Sequence, residues 1–469
     1  MTPKTLFEKI WQQHVVRQLD GDAFLLAIDR VFLHERTGSV ALNELERAGR
    51  RVLDPKRVFC TMDHIVDTLP GRSDHTLVPG GDVFIRSTRA AARAAGIRLF
   101  DVNDSDQGIV HVISPELGVV LPGLTLVCPD SHTCTQGALG AFAWGIGSTE
   151  AEHALATGTL RVSKPRTMRV WVTGQLRAGV NAKDLSLLLL SRHGAAGGQG
   201  YVVEYAGSAI TGMNMESRLT LCNMATEFAA VSGIIAPDDT TYEYLAGRRY
   251  APRDAQFAQA VAAWHKLPGD DAAGFDKELT VDASDLAPMV TWGTSPQHAV
   301  PIGAAVPDLA HSRATPESFR RALEYMGVAP GTAMSELTVN AAFIGSCTNS
   351  RLPDLRAAAR LLAGRKVAKG VKAICVPGSS HVKRAAEAEG LHRVFQEAGF
   401  EWRESGCSMC FFAGGESFGP KARVISTTNR NFESRQGPGT RTHIASPETV
   451  AASAVTGHIT DPTTFAVEN

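Results

Sequence analysis

The sequence has no apolar run long enough to cross a membrane, so no spanning segment is expected. Its N-terminal stretch lacks the apolar centre and small-residue cleavage site of a secretory leader, and a cytoplasmic location is the expectation that follows. Neither sign of charge is in excess. Lys and Arg number 47 against 48 Asp and Glu, a formal net charge of -1, which gives neither a nucleic-acid footprint nor an acidic tail. No solenoid period and no low-complexity tract is present. Cysteines are few, eight in 469 residues. In a large cytosolic chain they are not expected to pair as disulfides, and most should be small buried hydrophobes.

What is present is an ordinary globular composition, 44% hydrophobic and 20% charged, in a chain too long for one core. Two to four domains are expected. The 44 glycines point to tight turns and close backbone approaches. Strand-like runs (Phe24–Ile28, Leu124–Cys128, Met168–Val172, Ala341–Ile344, Ala373–Val376) alternate with helix-like runs (Arg86–Ala95, Ser148–Leu155, Pro353–Leu362, Val382–Gly390), the pattern of an α/β protein. Leu6, Ile10 and Trp11 share one face of an amphipathic N-terminal helix. Composition shifts near Ser163–Thr167 and within Val290–Pro307 suggest boundaries, and Arg248–Gly274 reads as peripheral.

Three cysteines stand apart. Cys347 lies in Phe343-Ile-Gly-Ser-Cys-Thr-Asn-Ser-Arg351, between an apolar strand and a helix start marked by Pro353 and Asp354. At such a turn, backbone N–H groups and the helix dipole favour a thiolate. Cys407 and Cys410 form a C-x-x-C pair, which alone is equally consistent with burial or zinc. A structural zinc wants four ligands, and the fourth would have to be Cys375 or a histidine from elsewhere; Cys375, in Lys372-Ala-Ile-Cys-Val-Pro, reads as a strand core residue. A [4Fe-4S] cluster held by only three thiolates keeps one iron open as a Lewis acid.

With these motifs the chain resembles the aconitase superfamily. The resemblance rests on Ile344-Gly-Ser-Cys-Thr-Asn-Ser and Gly406-Cys-Ser-Met-Cys, and extends over nearly the whole chain. It includes Thr61-Met-Asp-His, Gln107-Gly-Ile-Val-His-Val-Ile, Asp130-Ser-His-Thr, Leu221-Cys-Asn-Met-Ala, Asp282-Ala-Ser-Asp-Leu-Ala-Pro and Asn429-Arg-Asn-Phe-Glu-Ser-Arg435. The N-terminal segment, Val290-Thr-Trp-Gly-Thr and the chain length most resemble the 3-isopropylmalate dehydratase large-subunit branch. The resemblance implies three α/β/α domains around a cluster, expected at residues 1–165, 166–285 and 286–469. It implies a [4Fe-4S] cofactor with one open iron on Cys347, Cys407 and Cys410. The swivelling fourth domain is expected on a separate small subunit, in a heterodimer or heterotetramer, which would carry the serine base. The implied substrate is a small hydroxy di- or tricarboxylate; neither membrane nor nucleic acid is an expected partner.

The resemblance also assigns roles. Asp63 and His64, a loop pair by sequence alone, would protonate the leaving hydroxyl. His111, otherwise a core histidine satisfied by a backbone carbonyl, would pair with Asp130. His132 would pair with Glu227. Asp130-Ser131-His132 follows a strand end, where open α/β sheets bind ligands. Asn223 and Glu227, four apart on an expected helix, would share a mostly buried face. Arg430 and Arg435 would clamp substrate carboxylates, helped by Asn349, Asn429 and Ser131.

Three positions and one segment depart from the isopropylmalate dehydratase pattern: Arg36 after His34-Glu35, Ile65 after Asp63-His64, Gln136 after Thr133-Cys-Thr, and Phe411-Phe-Ala-Gly-Gly-Glu-Ser after Cys410. They cluster near motifs expected to face the site and leave two substrate readings. One is interconversion of 2- and 3-isopropylmalate for leucine biosynthesis. The other is a paralogue acting on citramalate or citraconate, homocitrate, dimethylmalate or benzylmalate. An iron or oxygen sensor, or an RNA-binding apoprotein, fits the neutral charge and the full set of histidines less well.

Overall fold

A computed structural model of the chain describes residues 2–412 and 415–465. It forms two compact units. Met1–Ile65, Gly80–Gln175 and Gly198–Ala283 make the first; Val66–Pro79, Leu176–Gly197 and Ser284–Asn469 make the second.

The first unit begins with the expected helix, Leu6–His14. Thr5 and Glu8 form a reciprocal capping box at its start, and Leu6, Phe7, Ile10 and Trp11 are its buried face. Two parallel sheets follow. One runs Arg98–Phe100, Val58–Thr61, Arg30–His34, Thr125–Cys128, Phe142–Gly145. The other runs Ser232–Ile235, Tyr201–Ala206, Arg166–Thr173, Lys277–Asp282. The helix Asp254–Trp264 buries only Trp264, in keeping with a peripheral segment.

The second unit holds a third parallel sheet, Phe400–Trp402, Lys372–Cys375, Ala341–Ile344, Arg423–Ser426, Arg441–Ile444. All three sheets wind alike. The chain adds two strands on one flank of the first, then returns to add the next on the other flank. Each winding reverses beside its own first strand, and the carboxyl ends of the strands at that reversal are where a crevice opens. His34 ends one such strand, and Ile344 ends another. The α/β class read from the sequence is the observed one.

Packing fixes what these strand ends carry. Phe32, Phe59 and Phe100, one from each of three adjacent strands, stack with ring centroids 5.9 to 6.4 Å apart. They share a core with Val110 and Ile113 of the helix Val110–Glu116. Burying each aromatic ring contributes roughly 1.5–3 kcal/mol. This core therefore anchors the helix on which His111 sits.

Candidate active-site groups and the cysteine centre

In the first unit the acid–base residues gather beyond the ends of Arg30–His34, Val58–Thr61 and Thr125–Cys128. Glu35 is fully buried. Its carboxylate accepts the backbone N–H groups of Asp63 (3.0 Å), His64 (2.7 Å) and Ile65. Burial, then the charge of Asp63, raises the Glu35 carboxyl above its ordinary value. Asp63 places one oxygen 2.6 Å from His64 Nδ1, and the other accepts the N–H of Val110 at 2.9 Å, at the start of a helix. Burial opposes ionisation of Asp63, but the charge of His64 and the bond to it outweigh burial, and the carboxyl lies below its ordinary value.

His64 Nε2 lies 3.2 Å from Asp130 Oδ2. Both ring nitrogens therefore face carboxylates, an arrangement that a doubly protonated imidazole satisfies with two donated bonds. Asp130 is shared. Its Oδ1 lies 2.8 Å from His111 Nε2 and accepts the N–H of His132 at 2.8 Å. Burial opposes its ionisation, yet His111 and then His64 hold it well below the usual carboxylate range. His132 Nε2 meets Glu227 Oε1 at 2.8 Å. The expected pairs His111–Asp130 and His132–Glu227 are thus both formed. His111 is buried as a core histidine would be, but a carboxylate takes the place of the backbone carbonyl. Ser131 is exposed, with Oγ 3.4 Å from His132 Nδ1.

One local expectation is corrected. Asn223 and Glu227 do not lie on one regular helix, although both side chains reach the 3-10 segment Ser131–Leu139. The helix Met215–Asn223 tightens into a 3-10 turn, Met224–Phe228, because the chain must reverse through Ala229, at φ 59, to enter the strand Ser232–Ile235. Asn223 instead bonds Thr135 Oγ1 at 2.8 Å, while Glu227 reaches His132.

From the sequence, His34 and Glu35 are only neighbours of a departure, and Gln136 only a departure, with no role for any of them. The His34 ring lies flat on His64, centroids 4.1 Å apart and planes 18° apart. Burial, then the charge of His64, pushes it down to about 4, so it is neutral at neutral pH. Gln136 places its amide nitrogen 3.4 Å from His111 Nδ1. His34, Glu35, Asp63 and His64 each bring one ligand atom within 4.8 Å of the others. The carboxylate oxygens among them already accept N–H groups, which makes the group a hydrogen-bonded relay. The available signal was a His-Glu pair at the end of a buried strand.

The second unit holds the cysteines. Cys347 lies in the turn between Ala341–Ile344 and Leu352–Leu362, as expected. Ser346 adopts φ 80, and a Cβ at Gly345 would run into the Phe343 ring, so the turn requires a glycine there. Thr427 secures it, accepting from Gly345 N at 2.9 Å. Asn429 donates to Cys347 Sγ at 3.4 Å. Cys407 starts the short 3-10 turn Ser408–Cys410. Cys410 Sγ lies 3.2 Å from Thr428 Oγ1, 3.3 Å from Ser346 Oγ and 3.6 Å from Arg435 Nη2. Burial alone would raise this thiol, but the Arg435 charge and the hydroxyl contacts overcome it and bring it below its ordinary value. Cys375 is the contrast: it ends a central strand, and burial pushes its thiol well up.

These features suit a cluster better than a single ion. A tetrahedral zinc site brings its sulfurs to about 4 Å of one another. Among the described residues, only the His34 group is gathered within 4.8 Å in this way, and the three thiols are not. All three are buried, none is in a disulfide, and hydrogen-bond donors reach two of the sulfurs, the kind of contact that tunes an iron–sulfur site.

Other expected groups fall nearby. Arg430 is partly buried beside Asn429. Asn349 is buried and donates to Asp354 at 2.9 Å, at the start of the helix. Lys183 was missed. Fully buried, it donates to the carbonyls of Thr427 and Thr428, and burial pushes its ammonium down to about 7 against the pull of Asp354, Cys410 and Cys347. Its one sequence signal was a cation in the first turn of a helix, Ala182–His193, where the dipole disfavours it. Ala413 and Gly414, in the departing segment after Cys410, lie outside the described residues.

Among the described residues no helix is long and apolar enough to cross a membrane. The sequence matches the aconitase family (aconitate hydratase) over residues 8–457. It is 51% identical over 467 residues to the 3-isopropylmalate dehydratase large subunit 1 of Bradyrhizobium diazoefficiens, covering 98% of this chain and 97% of that one. Among solved structures, Thermococcus kodakaraensis aconitase X in its holo-form aligns with TM-score 0.46 and 13% identity, over 90% of this chain and 87% of the other. The chain belongs to the aconitase family.

Proposed function

We propose that this chain is the large subunit of a [4Fe-4S] hydro-lyase that interconverts 2- and 3-isopropylmalate through an alkene. The observation that carries the reading is His64, its ring nitrogens 2.6 Å from Asp63 and 3.2 Å from Asp130, in a chain 51% identical to a protein of that name. Cys347, Cys407 and Cys410 would hold the cluster. When bound, it supplies a Lewis-acid iron that neutralises charge on a departing hydroxyl. His64 delivers the proton to that hydroxyl. Asp63 fixes its ring from one side, and Glu35 fixes its backbone. Asp130, His111, His132 and Glu227 set the charges around it. Arg430 and Arg435 bind the carboxylates, with Asn349, Asn429 and Ser131 completing the polar lining. A small subunit, implied by the words large subunit in that relative's name, would bring the serine base. Three domains, at 1–165, 166–285 and 286–469, each built on one of the three parallel sheets, would carry these parts in the cytoplasm.

The departures at Ile65, Gln136 and Phe411 keep a second substrate reading open, another 2-substituted malate. One experiment decides. The cluster is reconstituted anaerobically with the small subunit, and alkene absorbance is followed over a panel of 2-substituted malates. Turnover is expected to be fastest with isopropylmalate. Turnover of another member alone transfers the reading to it. No turnover of any member with an intact cluster overturns the hydro-lyase reading.

A further inference from the structure

We infer that Phe411 and Phe432 clamp the Arg435 guanidinium between them, and that Phe411 is a positioning residue for binding a substrate carboxylate; the inference rests on the hydro-lyase reading above. The guanidinium carbon lies 5.1 Å from the Phe411 ring centroid and 5.2 Å from that of Phe432, both within cation–π reach. The backbone holds the three residues together. Phe412 N donates to Arg435 O at 2.8 Å, and Arg435 N donates to Phe432 O at 3.1 Å. Gln436 ties the next residue to Met409 O at 2.7 Å.

The clamp decides what Arg435 can bind. Aromatic rings take up contacts of a guanidinium that are not hydrogen bonds, and its five N–H groups lie in one plane. One of them, on Nη2, reaches Cys410 Sγ. Nε is buried and has no hydrogen-bond partner among the described residues. A buried donor left unmade is costly, so this N–H calls for an acceptor that enters in the guanidinium plane. A carboxylate, whose two oxygens match two adjacent N–H groups of the fork, is the ligand chemistry that fits. A residue without a ring at 411 leaves the guanidinium free to tilt, and both the carboxylate geometry and the bond to Cys410 go with it. Phe411 also opens the segment where the sequence departs from the isopropylmalate dehydratase pattern.

The test uses the reconstituted holoenzyme with its small subunit, and compares Phe411→Leu, Phe432→Leu and Phe411→Tyr. Calorimetry with succinate, a dicarboxylate with no hydroxyl to lose, gives affinity apart from turnover. Each Leu variant is expected to weaken succinate binding and raise KM by about three- to tenfold. Their kcat should stay within about twofold, cluster absorbance should be unchanged, and the Tyr variant should match the parent. Unchanged succinate affinity in both Leu variants overturns the clamp. An equal loss in Phe411→Tyr overturns it too, because the ring face would then not matter. If the parent turns over no malate yet binds succinate in a Phe411-dependent way, the clamp stands and the reaction reading fails.

Discussion

The Glu35 carboxylate accepts the backbone N–H of His64 at 2.7 Å, and a single buried anion thereby fixes the loop that carries the expected acid. Asp63 and Ile65 donate to the same side chain. Glutamine at this position offers one acceptor oxygen and turns an amide toward backbone N–H groups. Glu35→Gln should therefore lower unfolding stability by about 1–3 kcal/mol and reduce kcat at least about tenfold, with cluster absorbance retained. Denaturant unfolding and steady-state rates test this; a variant with parental kcat would show that the loop does not need the anion.

His64 has carboxylates against both ring nitrogens, Asp63 at 2.6 Å and Asp130 at 3.2 Å. Removing a positioned general acid costs about 10²–10⁴ in rate. His64→Gln should lose that much kcat while KM and cluster absorbance change little. Activity within about tenfold of the parent would transfer the proton to another group.

How much of this was legible depended on range along the chain. Cys347 could be placed in its turn because strand, turn and helix are contiguous, and Pro353 with Asp354 marks the helix start. Asp130 could be placed at a strand end for the same reason. The Glu35 role was not legible, since the bonds it makes bridge 28 to 30 residues of sequence. Residue spacing put Asn223 and Glu227 on one unbroken α-helix; the chain tightens at Met224 to turn back, but both side chains still reach Ser131–Leu139. Lys183 left only the faint signal of a cation at the wrong end of a helix.

The shifts at Asp63 and Asp130 give acid stability a sign. Both carboxyls lie below their unfolded values in the fold, so near pH 4 the unfolded chain binds more protons. Their stabilisation is present above the unfolded value of about 3.9 and is lost as pH falls through their lower folded values. Glu35, raised in the fold, works in the opposite sense: its contribution declines as pH rises past about 4.3, its unfolded value. Asp130→Asn removes one depressed carboxyl. Its unfolding free energy should be lower at neutral pH and should fall less steeply below about pH 4. Parallel acid limbs for parent and variant, measured by denaturant midpoints from neutrality downward, would contradict the assignment.

Cys410 and Cys375 are both buried, yet only one is prepared to be a thiolate. Arg435 and two hydroxyls lower the first, while burial alone raises the second. In the apoprotein at neutral pH, iodoacetamide should therefore alkylate Cys410 well before Cys375, because the thiolate is the nucleophile. Mass spectrometry of timed samples reads the order directly. The same difference separates the Ser variants. Cys407→Ser and Cys410→Ser should each lose the brown cluster absorbance and activity together, since each removes one of only three cluster ligands. Cys375→Ser should keep the absorbance and lose about 1–3 kcal/mol of stability, from a hydroxyl buried in an apolar strand. Retained cluster absorbance in Cys407→Ser would break the ligand set. Loss of it in Cys375→Ser, with the fold intact, would make the strand cysteine a ligand and restore the zinc-like four-sulfur reading that the sequence alone left open.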